Sequence, residues 1–515
     1  MFHVEHFFLY PNACQGEKLA YSFVMESLGG YFYFLGGIAL LIGGYKWYGM
    51  VLEKLFRPDP NAETPAVRLA DGVDYVIMPP WRVFLIQLLN IAGLGPVFGA
   101  VLGALYGPAC LLWIVFGCLL GGMVHDYFAG MISLRHKGEN LPELLSHYLG
   151  KQAGWVSRVL CVVFSLLVGV VFALGPAAIL ASMTGWDVSI WIWAIFAYYF
   201  LATILPIQAI MGKIYPFFAV ALILMVAGIF GVLLLMPFGD LLPAWLHLPN
   251  GVVLPDTNFF VNQHPKDLPI YPVMFITIAC GAISGFHATQ SPLMARCMKN
   301  EMEGKAIFGG AMVAEGVIAL IWAVAVLTFY GSTDALGAGI QGGKSPALAI
   351  QAVSQSWLGY VGSILVMLGV VVLPISTGDG ALRVTRLMIA DCFGLKQSTI
   401  RRRLLIAIPL FGAAIFISRF DFNIIWQYFG WANQLLAATT LWAVVVYLRR
   451  QHRAPWVAAV PAMFLTSVVS MYLFSDRTMC GLSDGYAMIL SFIVLVIVGS
   501  VCFGLFGKND QSIKD

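Results

Sequence analysis

The chain has 515 residues, of which 60% are hydrophobic and only 11% are charged. A soluble domain carries about a quarter charged residues. The 29 Lys and Arg and 26 Asp and Glu therefore cannot cover the surface of a soluble protein of this length. A net charge of +3 is also too small to indicate a nucleic-acid-binding surface. The composition therefore predicts a polytopic membrane protein.

Long apolar runs along the chain predict transmembrane helices. A bilayer core about 30 Å thick needs about 20 apolar residues of helix, and continuous runs of this length disfavour the short alternating strands of a β-barrel. The predicted fold is therefore all-α, with about 13 spans. In chain order they are 31–51, 83–104, 108–133, 158–182, 190–208, 214–238, 271–294, 307–330, 358–380, 404–419, 422–448, 455–474 and 487–507.

The cations between these spans predict the orientation. With an external N-terminus, 23 of the 29 Lys and Arg fall in loops on one side, five fall on the other, and Lys46 lies within the first span. Cytoplasmic loops of membrane proteins carry such an excess of Lys and Arg. We therefore predict a multi-pass protein of the plasma (inner) membrane, with its N-terminus outside and its C-terminus in the cytoplasm.

Two predicted spans are interrupted by glycine and proline. The second reads NIAGLGPVFG, with Gly93, Gly95 and Pro96, and the seventh reads CGAISGFHATQSP, with Gly281 and Gly285. Proline removes a backbone donor and glycine tolerates unwound geometry. Both interruptions lie about 15 Å into their spans, near the bilayer midplane. Close packing of small residues against neighbouring helices is the alternative explanation of either break taken alone.

The positions of the two breaks predict an inverted repeat. Five spans run from the first break up to the second and five more run from the second to residue 448, and the charge pattern gives the two broken spans opposite directions. Corresponding broken helices in inverted halves indicate the binding site of a transporter. The predicted organisation is an external N-terminus, peripheral helix and cytoplasmic loop (1–82), a five-helix repeat (83–238), an external loop (239–270), a second five-helix repeat (271–448), and two peripheral helices with a cytoplasmic tail (449–515).

The breaks also predict what is bound. A half-helix that begins at the midplane directs free N–H groups and the positive end of its dipole into the cavity, which favours an anion. Unwound carbonyl oxygens could also hold a cation. We therefore predict a carboxylate-bearing substrate at the two breaks. The predicted substrate-binding residues are Asn90, Gly93, Gly95, Pro96, Gly281, Ser284, Gly285 and His287.

Few ionisable residues lie within the spans, and such groups usually face a cavity or a partner. Glu315 is interpreted as a proton site, or as a structural carboxyl bonded inside the bundle. His287 could donate to substrate or relay a proton, or could cap a helix. His125 and Asp126 lie close to the cytoplasmic end of their span, which favours an interfacial anchor, and Asp126 is also a coupling candidate.

Further polar residues follow in the second half. Asp379 lies one turn before Arg383, so an ion pair is predicted, with a coupling role as the alternative. The hydroxyl oxygens of Ser376 and Thr377 could hold a coupling cation. Asn433 and Gln434 are neutral groups of the kind that bridges helices.

Several of these stretches resemble the carbon starvation protein A family, which includes peptide and pyruvate permeases. The resemblance is carried by NIAGLGPVFG (90–99), SGFHATQSPLMARCMKNEMEG (284–304), MVAEGVIALIW (312–322), STGDGALRVTR (376–386) and FGWANQLLAATTLW (429–442). It implies an inner-membrane secondary carrier with the amino-acid/polyamine/organocation type of fold. It also implies proton-driven uptake of pyruvate or small peptides, linked to carbon starvation.

Three alternatives remain at this point. The protein could be a sodium-coupled carrier of amino acids or related solutes, or a nutrient sensor on a transporter scaffold. An intramembrane enzyme is disfavoured, because the chain has no H-E-x-x-H, C-x-x-C or G-x-S-x-G motif. No catalytic residue, metal site or cofactor is therefore predicted, and H⁺ or Na⁺ is the expected coupling ion. The sequence leaves open the oligomeric state and whether Cys14 pairs with Cys480.

Overall fold

The computed structural model describes residues 13–71, 75–204, 208–241, 252, 254, 258–341, 345–395 and 399–504. Side chains are described from residue 29 onward, except at 208–219, 239–241, 341, 373, 376 and 391. Every regular element within these ranges is helical, which confirms the predicted all-α fold. The side chain of Cys14 lies outside the described residues, and so does the C-terminal tail from residue 505, whose cytoplasmic location stays a prediction.

Within the residues that the structure describes, the first half of the chain forms ten α-helices. They are α1 (Ala13–Phe56), α2 (Pro65–Arg68), α3 (Pro80–Ile91), α4 (Gly95–Gly103), α5 (Ala109–Leu112), α6 (Met123–Arg135), α7 (Leu141–Leu149), α8 (Lys151–Thr184), α9 (Val188–Ile204) and α10 (Gln208–Leu235). A π-helical stretch, Trp113–Gly122, joins α5 to α6. Helix α3 begins with Pro80, whose missing N–H would have no partner in the first turn.

The second half forms ten more helices. They are α11 (Phe275–Thr277), α12 (Gly285–Ala295), α13 (Gly310–Tyr330), α14 (Thr333–Gln341), α15 (Pro346–Val366), α16 (Leu373–Cys392), α17 (Ile400–Ile417), α18 (Phe422–Arg450), α19 (Trp456–Ser475) and α20 (Asp484–Gly504). Short π-helical segments precede α11, α13 and α16. Helix α13 ends where Gly331 adopts a φ of +69°, a left-handed conformation that suits glycine.

The predicted count of thirteen spans is not confirmed. Among the described residues, nine helices are long and apolar enough to cross a membrane, and the bent pair α3–α4 makes a tenth. The predicted spans 190–208, 271–294 and 404–419 correspond to weaker candidates. Helix α9 has only 17 residues, the non-helical residues 278–284 separate α11 from α12, and three arginines lie in the first turn of α17.

The core forms around α13, which packs against α3, α4 and the π-helical stretch before α6. This helix is apolar on all sides and is almost entirely buried, as expected of a helix without a polar face. Helix α12 packs against α3, α6 and α18. Most side chains of α20 and of the described part of α1, residues 29–56, are not buried. The inverted relation between the two five-helix units stays a prediction.

Candidate functional site

The two predicted breaks are present and lie against each other. Helices α3 and α4 meet at a bend of 47°. The second break spans 278–284, where Gly281 has a φ of +86° that other residues rarely adopt. Gly95 faces Cys280 so closely that a side chain at 95 would overlap the thiol, and Gly281 lies beside Pro96. The structure therefore brings together the two glycine-rich segments that the sequence singled out.

Backbone carbonyls at and just before the second break are held by side-chain donors. A buried carbonyl needs a partner, and unwinding removes the one that a helix supplies. The donors are an amide and two indole N–H groups. Their hydrogen bonds are Gln434 Nε2 to Phe275 O (2.9 Å), Trp426 Nε1 to Thr277 O (3.1 Å) and Trp113 Nε1 to Ile278 O (2.9 Å). These three carbonyls therefore already have donors, which weakens the idea that they hold a cation.

Asn433 of α18 holds the start of α12. Its Oδ1 accepts a hydrogen bond from the Phe286 N–H at 2.9 Å, and its Nδ2 donates to Ser284 Oγ at 3.0 Å. Asn433 and Ser284 are both fully buried. The predicted helix-bridging role of Asn433 is confirmed, and its amide oxygen lies at the N-terminal end of α12, where an anion would be favoured.

Four buried ionisable residues form a continuous chain next to the second break. His125 Nδ1 and His287 Nδ1 each lie 2.7 Å from a different oxygen of Asp126. His287 Nε2 lies 3.3 Å from Glu315 Oε2. All four side chains are fully buried and come from α6, α12 and α13. The structure thus unites Asp126, His287 and Glu315, which the sequence had placed about 160 and 30 residues apart.

The arrangement leaves one proton to be shared between His287 and Glu315. If Nδ1 of His287 donates to Asp126, the neutral imidazole has an acceptor at Nε2. The 3.3 Å gap to Glu315 is then bridged either by a carboxylic acid proton or by an imidazolium N–H. His287 Nε2 and Glu315 Oε2 are close to each other, but their geometry in this conformation falls short of a full hydrogen bond. An unsatisfied buried polar group is costly, so these atoms are suited to change partners.

The predicted interfacial-anchor role of His125 and Asp126 is wrong. Both side chains are fully buried and bonded to each other and to His287. Sequence position suggested the end of a span, but Asp126 lies nine residues before the end of α6 at Arg135, about 13 Å along the helix. That distance carries it into the bundle, where the coupling role that was also considered for Asp126 becomes geometrically possible.

Cys280 adds a thiol to the same place. Donor atoms of Cys280, His287 and Glu315 all lie within 4.8 Å of one another. Sulfur, imidazole nitrogen and carboxylate oxygen are ligands that a zinc-like cation accepts, so these residues could hold a metal. The predicted absence of a metal site stays a prediction. The sequence offered no signal for Cys280, since a single cysteine in an apolar run has no ligand spacing.

The remaining coupling candidates lie on α16. Asp379 pairs with Arg383, with 3.0 Å between Oδ1 and Nη2, as the i,i+4 spacing predicted. The same guanidinium donates to the Ala202 carbonyl at 2.8 Å. Thr377 is half-buried, and the side chain of Ser376 lies outside the described residues. The Asp379–Arg383 pair therefore connects α16 to α9, through Arg383, rather than to the chain that contains Glu315.

A cavity of about 400 Å³ lies at one end of the bundle, next to the second break. Thr277 and Trp426, which are hydrogen-bonded to each other, form part of its wall. Lys266 and Asp421 line it with one charge of each sign. Burial, together with the nearby Lys266, lowers the pKa of His264 to about 4, so this imidazole is neutral at neutral pH.

The opposite end of the bundle is closed by Arg135. Its guanidinium makes two hydrogen bonds to Glu301, of 3.1 and 2.9 Å, and one of 3.1 Å to the Tyr447 hydroxyl. It also donates to the Arg57 carbonyl at 2.9 Å and lies 4.0 Å from the centre of the Phe56 ring. We call these five residues the closing cluster. It joins the ends of α1, α6 and α18 to the segment that follows α12.

We expect Arg135→Gln to lower the free energy of unfolding by about 3 kcal/mol. Removing one member of a buried pair leaves the other charge without compensation, and only 6% of the Glu301 side chain is exposed. The matched control is Arg158→Gln, whose pair with Glu143 is more than a third exposed on both sides and should be worth less than about 1 kcal/mol. Thermal unfolding of the purified variants measures both. Equal losses would show that the closing cluster is no stronger than a surface pair.

Comparison with known proteins identifies the family. The sequence profile described as Carbon starvation protein CstA matches three overlapping stretches, 30–189, 176–359 and 331–472. The chain belongs to the CstA family. All the segments that carried the resemblance lie within these matched stretches, so the predicted family is confirmed.

Relatives within the CstA family include named transporters. An uncharacterized membrane protein of Haemophilus influenzae is 44% identical over 347 residues, covering 60% of this chain and 94% of that protein. The peptide transporter CstA of Escherichia coli is 25% identical over 565 residues, covering 84% and 79%. The pyruvate/proton symporter BtsT of Escherichia coli is 27% identical over 376 residues, covering 59% and 51%. The chain is therefore an integral multi-pass membrane protein of a family that includes transporters.

Several residues at the site of this CstA-family chain were missed or undervalued from sequence. Cys280 and the two indole donors Trp113 and Trp426 carry no local pattern that marks them. His125 was interpreted as an interfacial anchor, so neither its burial nor its bond to Asp126 was predicted. Only the glycines and prolines of the breaks gave a signal strong enough to locate the site in advance.

Proposed function

We propose that the protein is a secondary transporter that imports a small carboxylate-bearing nutrient, pyruvate or a small peptide, together with protons. The observation that carries this proposal is the pair formed by His287 and Glu315, fully buried beside the second break, with 3.3 Å between Nε2 and Oε2. A carboxyl group that alternates between two protonation states at such a place can couple proton movement to a change in the neighbouring backbone.

The named relatives support this choice of cargo. The Escherichia coli relatives are named as a peptide transporter and a pyruvate/proton symporter, and both cargoes carry a carboxylate. A carboxylate would also be stabilised by the positive N-terminal ends of the two half-helices, which begin at Gly95 and Gly285. We also propose that this import is linked to carbon starvation.

The amide oxygen of Asn433 occupies the position that a substrate carboxylate oxygen would take. Its Oδ1 is the acceptor for the Phe286 N–H in the present conformation. A substrate oxygen would replace this amide oxygen, and the displaced Asn433 could then donate through Nδ2 to the carboxylate. The site would therefore remain hydrogen-bonded both with and without substrate, which avoids the penalty for an unsatisfied buried group.

The proton follows the buried chain of four residues. Glu315 takes up a proton from the end of the bundle where the cavity lies. His287 then passes this proton to Asp126. His125 Nε2, which has no hydrogen bond within the described residues, is the far end of this chain. From there α6 continues toward Arg135, so release on that side requires the closing cluster to open.

The orientation and organisation complete the proposal. The cavity faces outward and the closing cluster faces the cytoplasm of a protein in the inner membrane, with the N-terminus outside and the C-terminus inside. The two five-helix units, 83–238 and 271–448, form the inverted core. The protein acts as a carrier without catalysis and without a resident cofactor, and H⁺ is the coupling ion.

Uptake into proteoliposomes tests the proposal. Labelled pyruvate and labelled alanyl-alanine are supplied to the purified full-length protein under an imposed pH gradient or an imposed sodium gradient. We expect at least one of the two to accumulate with the pH gradient and to be indifferent to sodium. Accumulation that follows only sodium would identify the sodium-coupled alternative, and tight binding without flux would identify a sensor.

A further inference from the structure

A dense group of cations lies outside the proposed transport pathway. Between residues 379 and 403 the sequence has six Lys and Arg against two Asp. Five arginines of this segment have described side chains, and we call them the arginine cluster. They are Arg383, Arg386, Arg401, Arg402 and Arg403.

Part of the arginine cluster is bound to the end of α9. Arg383 donates to the Ala202 carbonyl and Arg403 donates to the Ile204 carbonyl, both at 2.8 Å. A helix C-terminus attracts cations, so these two contacts have a structural explanation. Arg386, which is buried, lies close enough to both of these arginines for their charges to interact. Three guanidinium groups thus converge where α9, α16 and α17 meet.

The rest of the arginine cluster faces outward. Arg401 and Arg402 are exposed in the first turn of α17. Thr399, which precedes that turn, makes no side-chain capping bond, so the positive end of the helix dipole adds to the same field. The neighbouring surface of α17 is apolar. Ile400, Leu405 and Ile408 are 59%, 66% and 61% exposed, as expected of residues that face lipid.

We propose that Arg401 and Arg402, within the positive field of the rest of the arginine cluster, bind the phosphate of an anionic phospholipid, whose acyl chains lie on the exposed apolar face of α17. Guanidinium groups bind phosphate oxygens through paired hydrogen bonds. Clusters of about 4–8 basic residues at the end of a membrane helix are typical of anionic-lipid sites. The apolar surface beside the cations favours a lipid headgroup over free phosphate, since a free ion would leave that surface uncovered.

Lipid titration of the full-length protein tests this inference. Thermal unfolding is followed in detergent with added phosphatidylglycerol, phosphatidylcholine or inorganic phosphate. The test variant is Arg401→Gln/Arg402→Gln, and the matched control is Arg68→Gln/Arg82→Gln, which removes two exposed arginines elsewhere. At about 1 kcal/mol for each cation near the surface, the test variant should need about thirtyfold more phosphatidylglycerol for the half-maximal rise in Tm.

Each outcome of the titration decides the proposal. Support requires phosphatidylglycerol to raise the Tm of the wild type and the control variant alike, with little effect of phosphatidylcholine. Equal sensitivity of the two variants would overturn it, and so would an equal effect of phosphatidylcholine. Inorganic phosphate that matched the lipid at equal concentration would overturn the assignment to a lipid. The proton-coupling proposal stands apart from all of these results, because none of them involves Glu315.

Discussion

In proteoliposomes, Glu315→Gln should lose proton-driven accumulation and keep exchange of substrate across the membrane. A gradient of about one pH unit can drive about tenfold accumulation when one proton accompanies each substrate, because one pH unit is a tenfold ratio of proton activity. Glutamine has the size of a protonated Glu315 and cannot release a proton. The variant should therefore reach only equal concentrations on the two sides, while labelled substrate still exchanges with unlabelled substrate.

The control for this experiment is Glu143→Gln. Glu143 pairs with Arg158 at the surface, away from the buried chain, so the variant should accumulate substrate as the wild type does. Accumulation by Glu315→Gln at the level of the wild type would make Glu315 a structural carboxyl. Loss of exchange as well as accumulation would show that Glu315 is needed for binding or for the conformational change itself.

The second large effect is expected where the two breaks contact each other. Gly95→Ala should destabilise the protein by about 3 kcal/mol and abolish uptake, because the new Cβ would overlap the side chain of Cys280. Cys280→Gly removes the overlapping atoms. The double variant Gly95→Ala/Cys280→Gly should therefore be more stable than Gly95→Ala alone, with a coupling of about 2 kcal/mol in a double-mutant cycle. Chemical or thermal unfolding of the purified variants measures the cycle.

Variants at two further glycines serve as comparisons for this test. Gly36→Ala is the control, since nothing lies within 4 Å of the position of its Cβ, and alanine is the better helix former. Gly285→Ala should strongly destabilise the protein, and no second side-chain substitution should restore its stability. The reason is that the new Cβ would lie 2.5 Å from the backbone of Asn433 and Ala437. Additive effects of Gly95→Ala and Cys280→Gly would contradict the direct contact of the two breaks.

The sequence was sufficient to locate the two breaks and to single out Glu315. Glycine and proline have fixed backbone consequences, so the interruptions near Gly93 and Gly281 could be located without knowledge of their neighbours. Charge is expensive in a membrane, so Glu315 stood out from its apolar helix. These inferences rest on local chemistry, which the linear sequence contains.

The partners of these residues could not be predicted in the same way. The approach of Cys280 to Gly95, and the bonds of Asp126 to both His125 and His287, depend on how α4, α6 and α12 pack. The pairing of Arg135 with Glu301 joins residues 166 apart in the chain. The span count differs for another reason, the length and charge of individual helices. Apolar length predicted thirteen spans, whereas a short α9 and the arginines of α17 leave fewer helices that meet the requirements for crossing.

The cavity and the closing cluster lie at opposite ends of α18, which begins at Phe422 and ends at Arg450. The buried chain that contains Glu315 lies between them. A cavity at one end and a hydrogen-bonded cluster at the other are the arrangement that the proposed alternating access requires. The stability difference expected between Arg135→Gln and Arg158→Gln bears on how firmly that second end is held.

Proton movement caused by substrate tests the central claim most directly. Wild-type protein and Glu315→Gln are reconstituted in vesicles that contain a pH-sensitive dye, with no imposed gradient, and pyruvate or alanyl-alanine is added outside. For the wild type we expect the interior to acidify in proportion to the substrate that enters, and for Glu315→Gln we expect entry without acidification. Substrate that enters through the wild-type protein while the internal pH stays constant would contradict proton coupling.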